Sequence, residues 1–409
     1  QAWRPWGLSV ASLLTSAWLI SGEVISSLDL LLFVGMVVLT VVVWGVITYG
    51  KPSTHPETES VILPLADRVA FQLFMATLVL IGCVAFLQTQ SLDLVFLPVG
   101  GVLLVGVGVL SVNRLNGASN DDVQVMRLVA VGLIGVVLLV LVALKWPPSA
   151  SFFGQTLQWD AQSLAVAPPL VWIGFSYIAF RLIAVLMDYR AGRLAKQSYT
   201  LRDFITYVLF FPAFTAGPID RAQRFIPEVF RADDLSSARL VEGSTRIAIG
   251  IFKKFVIADS LALVSMSPVL LDQTQTTTGY WVLLYLYPLQ IYFDFSGYSD
   301  VAIGLGRLYG ITLPENFDRP YLQRNIQQFW QRWHMTLSTW FRVYYFTPFS
   351  RMLIRSPRKI PQPIIIFASQ MTTMTLIGLW HGITLNFFLW GVWHGVGLFL
   401  HKMLADNTK

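Results

Sequence analysis

His334 and His381 are the two side chains of this sequence best suited to acid–base chemistry. An imidazole with an unperturbed pKa of about 6.5 can take up and return a proton near neutral pH. Both lie within 290–401, a stretch that holds four of the five histidines among tryptophans and glycines. Ionisable groups in such apolar surroundings are costly and are usually kept for function. Steps of three and four from His334 reach Gln331, Gln327 and Arg324 on one side and Ser338 and Arg342 on the other, the spacing of one helical face. That stripe predicts that His334 faces a polar cavity; the plainer reading is a core histidine satisfied by Gln331 or a backbone carbonyl. His381 stands between the apolar runs 363–380 and 385–400, inside Trp380-His381-Gly382, where the glycine lets the chain turn. A hinge histidine at a helix end is expected there, with an interface histidine beside Trp380 as the plainer reading.

Other polar residues fall near these two. Gln327, Gln331, Ser338, Asp294, Ser296, Asn386 and Trp380 are candidates to line a substrate path. Asp294 and Asp300 are separated by about 120° around a helix, which argues against a shared carboxylate pair. Bonding between neighbouring helices is as open a role for them as catalysis. His394 shares a helical face with Asn386, Trp390 and His401, where packing is the favoured reading. Gly297, Gly304 and Gly306 read as close helix contacts and not as a phosphate loop, because no strand precedes them and no lysine follows at the required place. Trp330, Trp333 and Trp340 read as core or interfacial belt. One cysteine and widely separated histidines supply no zinc pattern, so no metal is expected. A G-x-S-x-G elbow is absent, and nothing marks a serine or cysteine nucleophile.

The elements that must carry these residues are membrane helices. Of the 409 residues 55% are hydrophobic and only 13% charged, and the mean hydropathy is +0.60. Soluble chains carry about twice that share of charge. Several apolar stretches reach the roughly 20 residues that cross a bilayer as helix, and long strand-like alternation, the mark of an outer-membrane barrel, is absent. Cys83 lies in an apolar run and has no partner for a disulfide. The basic excess, 29 Lys+Arg against 23 Asp+Glu, is spread over loops and forms no nucleic-acid stripe. The first apolar run, 6–20, follows Arg4 but lacks a small-residue cleavage site. A first residue of glutamine, not methionine, leads us to expect that the chain begins inside a longer one.

Spans are expected at 6–25, 28–49, 66–87, 92–112, 124–145, 168–188, 247–271, 280–306, 362–380 and 384–402. Residues 203–218 read as a re-entrant hairpin, tolerable only if buried in protein or lining a cavity, and 314–342 as helices at or dipping into the cytoplasmic face. Arg4, Lys51, Arg68, Arg114, Arg127, Arg190, Arg193, Lys196 and Arg202 fall on one side, while the turns on the other carry almost no basic residue. By the positive-inside rule both termini are cytoplasmic, and the 272–279 turn is external. His334 then lies toward the cytoplasm and His381 nearer the outside. No internal repeat is visible, which gives a transporter of repeated halves no support.

The motifs QIYFDFSGYSDVAIGLGR, ENFDRPY, FWQRWHMTLSTWFR, LWHG and WGVWHG, in this order, closely resemble the membrane-bound O-acyltransferases. The nearest likeness is to the bacterial branch that contains alginate O-acetyltransferases and D-alanyl transfer proteins of teichoic acid. FFPAFTAGPIDRAQRF and WIGFSYIAFRLIAVLMDYRAG extend the likeness over about 170–401. The division expected is 1–165, N-terminal transmembrane helices, and 166–409, the catalytic core, in one continuous membrane domain. What the resemblance implies is an all-α polytopic protein of about ten transmembrane helices, with re-entrant and interfacial helices around a central tunnel. It implies His334 and His381 as the essential pair, and transfer of an acyl group, acetyl in the simplest case, to a hydroxyl. The co-substrate would be an acyl thioester from the cytoplasm, acetyl-CoA or an acyl carrier, with no bound cofactor. Expected partners are membrane lipid, an extracytoplasmic protein and a glycan acceptor, in a bacterial inner membrane. Val343 stands where relatives often carry an acidic residue. A transporter or proton pathway through Asp294 and Asp300, or a non-catalytic subunit of a membrane assembly, are the competing readings.

Overall fold

The computed structural model describes residues 4–21, 27–49, 120–146, 174–194, 199–230 and 236–407, and every regular element among them is helical. The all-α expectation therefore holds. Helices α1 (Arg4–Ser21), α2 (Ser27–Tyr49), α3 (Asn120–Lys145) and α4 (Phe175–Arg190) match four expected spans. The spans expected at 66–87 and 92–112 lie outside the described residues. Among the described residues two stretches are long and apolar enough to cross a bilayer, 124–142 within α3 and Gln362–His381, so the count of ten is not reached on that measure. Within α2 the residues Gly35–Thr48 form a shorter apolar stretch.

Helix α4 is the centre of the packing and is buried along most of its length. It rests on α2 and α3 and on α5 (Leu201–Leu209), every residue of which is buried. Thr200 starts α5 by accepting a hydrogen bond from the Asp203 backbone N–H at 3.3 Å, the usual work of a hydroxyl N-cap. The chain then makes one tight turn at Phe211–Ala213 and returns to α6 (Ala222–Phe230). Gly217 sits so close to Ala213 that any side chain there would run into its backbone. This is the buried hairpin expected at 203–218. Its loose carbonyls need donors, and the fully buried Arg181 guanidinium of α4 supplies them. It donates to the carbonyls of Tyr207 at 3.2 Å, Val208 at 2.7 Å and Ala213 at 2.7 Å. At the far end of α4, Asp188 accepts from Arg193 at 2.8 Å, Arg221 at 2.9 Å, Gln223 at 2.5 Å and the Tyr344 hydroxyl at 2.9 Å.

The span expected at 247–271 is displaced. Helix α7 (Ser237–Ile251) begins where Ser236 caps the Arg239 N–H at 3.3 Å, continues through a widened turn at Phe252–Ala258, and ends in α8 (Asp259–Ala262). A short α9 (Pro268–Gln273) leads into the long α10 (Thr277–Leu308). Two of the three glycines of α10 make the helix contacts the sequence suggested, while Gly306 packs against the loop at Ile311 and Leu313. A Cβ on Gly297 would lie 2.8 Å from the Gly250 carbonyl, and one on Gly304 2.7 Å from that of Gly243. Asp300 holds the same pair of helices together, bound by Arg246 at 2.8 Å and Lys253 at 2.6 Å.

The stretch 314–342 contains two short helices, α11 (Ile326–Arg332) and α12 (Met335–Phe341), followed by a widened turn at Arg342–Phe346 and α13 (Thr347–Ile354). The hairpin of α14 (Gln362–His381) and α15 (Leu385–Asn407) closes the structure. Gly297→Ala and Gly304→Ala should each destabilise the protein by about 1–3 kcal/mol, as overpacking of a close contact does. Gly35→Ala, with open space around it, should leave the thermal midpoint in detergent unchanged or slightly raised.

Candidate active site

His334 does not lie on a continuous helix. It adopts φ 43° and ψ 54° between α11 and α12, so the polar stripe drawn from Arg324 to Arg342 is broken at its centre. The break turns the imidazole inward, where it is 3% exposed. Phe295 meets the ring edge-on at 4.7 Å between centroids, Tyr177 stacks at 6.5 Å, Phe317 at 6.4 Å, and Trp380 packs at 6.3 Å. His334 Nδ1 lies 2.9 Å from Asn316 Oδ1, while its Nε2 is buried and makes no hydrogen bond. The ring is thus satisfied on one nitrogen and open on the other, a departure from the satisfied core histidine.

Asn316 is fully buried and was not singled out in the sequence, although the ENF motif contains it. Its Oδ1 accepts from the Thr336 hydroxyl at 2.9 Å and from the Thr336 backbone N–H at 3.4 Å, and its Nδ2 donates to Ser299 Oγ at 3.2 Å. Thr336 in turn accepts from the Ile219 N–H of the buried hairpin at 3.1 Å. The residue before Asn316, Glu315, is held by Arg246, whose other contact is Asp300. An amide set in an aromatic stretch, next to a charged residue, was the signal that could have found it.

His381 ends α14, as expected of a hinge histidine, and is exposed. Its ring packs on Trp380 at 4.6 Å, Phe387 at 5.7 Å and Trp390 at 5.7 Å. Trp380 thus touches both histidines, and its indole nitrogen is buried without a partner. Lys145 at the end of α3 sets its ammonium 5.4 Å from the Trp380 ring and accepts the Ile383 N–H on its carbonyl at 3.3 Å.

Of the other candidates, Ser296 is buried beside Phe295 with its hydroxyl unpartnered. Ser338 donates to the Trp330 and Trp333 carbonyls, both at 3.4 Å, and so ties α12 to α11. Gln327, Gln331 and Asn386 are exposed, and none hydrogen-bonds a histidine. Asp294 pairs with Lys254 at 2.8 Å, which together with the Asp300 pairs leaves no free carboxylate on α10 for a proton pathway. His394 packs between Trp330 at 5.1 Å and Trp390 at 4.6 Å, in keeping with the packing reading.

The family model for the membrane-bound O-acyltransferases matches residues 115–409. The chain belongs to that family. It is a membrane family, and both histidines fall within the matched part. Among similar proteins, the probable alginate O-acetylase AlgI of Pseudomonas syringae pv. tomato is 39% identical over 245 residues, 59% of this chain and 44% of the relative. The teichoic acid D-alanyltransferase of Streptococcus thermophilus is 33% identical over 248 residues, 59% of each chain. The peptidoglycan O-acetyltransferase of Helicobacter pylori is 34% identical over 209 residues, 51% of this chain and 38% of the relative. The chain spans about half the length of the curated relatives it matches.

Burial, and behind it a charge on the neighbouring His381, lowers the pKa of His334, outside the spanning helices, from 6.5 to about 3. The unfolded ring takes up its proton near 6.5, so the neutral buried ring contributes fully above that pH and its contribution is lost as the pH falls toward 3. The thermal midpoint of the wild type should therefore fall more steeply than that of His334→Gln when the buffer is taken from about pH 7 to about pH 5. Parallel curves for the two proteins would contradict this.

Proposed function

We propose that this chain is an integral-membrane O-acyltransferase that moves an acyl group, acetyl in the simplest case, from a cytoplasmic thioester to a hydroxyl on an extracytoplasmic polysaccharide or partner protein. The observation that carries this reading is the pairing of His334 and His381 across Trp380, one ring buried with an unpartnered nitrogen and the other at the surface of the described residues. His381 is the general base: it is the accessible member of the pair and can meet a bulky acceptor. It takes the hydroxyl proton as the oxygen attacks the thioester carbonyl carbon. The carbon–sulfur bond breaks, and the proton passes to the departing thiolate, so an ester and a thiol leave and no covalent acyl-enzyme is needed. His334 orients the reacting groups from the buried side. The names of the similar proteins support a cell-envelope polymer as the final acceptor, reached directly or through an extracytoplasmic partner.

Incubation of the purified chain with labelled acetyl-CoA and envelope glycans, followed by a search for label on the glycan, tests the reaction. His381→Ala and His334→Ala should each reduce acyl transfer by about 10²-fold or more, the range of base catalysis. His394→Ala should retain near-normal turnover at equal amounts of monodisperse protein. Near-normal turnover by His381→Ala would overturn the mechanism.

The proposed topology places the loops containing Lys196 and Arg355 in the cytoplasm and the 272–279 turn outside, with a tunnel between the two histidines. Single cysteines introduced at 196, 355 and 275, in a chain with Cys83 replaced by serine, should react with an impermeant reagent on intact cells at 275 alone. Labelling at 196 from outside would reverse the orientation.

A further inference from the structure

His334 presents two ring nitrogens, and which of them carries the hydrogen decides what the ring can do. Asn316 answers the question by elimination. The backbone N–H of Thr336 can only donate, and it points at Asn316 Oδ1 at 3.4 Å. That fixes the orientation of the amide, with oxygen toward Thr336 and His334 and nitrogen toward Ser299, whose hydroxyl accepts at 3.2 Å. The Thr336 hydroxyl receives the Ile219 N–H at 3.1 Å and passes its own hydrogen to the same Oδ1 at 2.9 Å. An amide oxygen has no hydrogen to give. His334 Nδ1, 2.9 Å away, must therefore be the donor.

We infer that Asn316 is a positioning residue: its side-chain oxygen locks His334 in the tautomer protonated on Nδ1, so that Nε2 faces the reacting groups as a standing lone pair. The inference deepens the acyltransferase reading and rests on it for its catalytic meaning. It also chooses between two roles for His334. A nitrogen with a lone pair can receive the hydrogen of a hydroxyl or thiol and hold it in place, whereas polarising a thioester carbonyl would take an N–H. Asn316 itself is held by the Met335 N–H on its backbone carbonyl at 2.9 Å and by the Arg246 contact to Glu315. The titratable groups that face the ring are Tyr177 from α4 and His381 from α14; α10 faces it with Phe295 and the preceding loop with Phe317.

Two variants separate positioning from folding. Asn316→Ala removes the acceptor. Asn316→Asp keeps an oxygen at the same place and adds a charge that favours the doubly protonated ring. Solid-state nitrogen NMR of the full chain, labelled with ¹⁵N-histidine and held in liposomes, reads the tautomer without any substrate, the His334 signals being assigned by their loss in His334→Gln. The wild type should show a protonated Nδ1 and a bare Nε2, Asn316→Ala a mixture of tautomers or the opposite one, and Asn316→Asp the wild-type tautomer with a second proton taken up at higher pH. With acetyl-CoA as donor, Asn316→Ala should lower turnover by about tenfold or more with little change in KM, and Asn316→Asp should restore part of it with the acid limb of its pH profile moved upward. A wild-type ring protonated on Nε2, or an Asn316→Ala protein with unchanged tautomer and unchanged thermal midpoint, would overturn the inference. A wild type inactive toward every donor but with the expected tautomer would count against the acyltransferase reading and leave the hydrogen-bond lock standing.

Discussion

Backbone that leaves regular helix inside an apolar interior must find partners for its polar groups, and this constraint shapes the core of the molecule. The last turn of α5 and the tight turn after it leave three carbonyls without helical donors, and the buried Arg181 guanidinium takes all three. A guanidinium is suited to this because its donors fan out in one plane and it stays charged under ordinary conditions. With the hairpin fixed from α4, the Ile219 N–H is available to Thr336, and through Thr336 the chain reaches Asn316 and His334. The same α4 helix places Tyr177 against the His334 ring. The His334 imidazole is thus located by hydrogen bonds that begin with a structural problem elsewhere.

The charged residues of α7 and α10 work toward the same end. Arg246 reaches both Asp300 and Glu315, so the ion pairs that hold two helices together also fix the loop that carries Asn316. Pairs of this kind, partly shielded from solvent, add specificity of position more than they add stability. The two histidines are held differently. His334 is bound through a nitrogen and enclosed by rings, whereas His381 is gripped only by aromatic packing at a helix end. A fixed group beside a looser one is what the proposed transfer to a bulky acceptor would call for.

Helical class and family were legible because each leaves a mark along the chain: hydropathy in long runs and motifs in a fixed order; the nearness of His334 and His381 to Trp380 follows from the elements those motifs build. The close helix contacts at Gly297 and Gly304 were legible for a related reason, since small residues at regular spacing permit backbone approach. Gln327 and Gln331 misled because the period of three and four assumes an unbroken helix, and nothing in QRWHMT announces a residue with positive φ. Asn316 and Arg181 were missed because their partners are backbone groups and distant side chains, which leave no periodic trace. The start of the helix expected at 247 was misplaced because Ser236 stops the chain with a cap, a stronger local signal than the apolar run that follows it.

The left-handed backbone at His334 has a consequence for anyone who would redesign this protein. For a residue with a Cβ that conformation costs on the order of 1 kcal/mol, and glycine or asparagine bears it more easily. Either of them at 334 would relieve that strain and in exchange empty the space that Phe295, Phe317, Tyr177 and Trp380 enclose, and the cavity costs more than the backbone gains. The position is occupied against the preference of its own backbone, and the contacts of the ring hold it there.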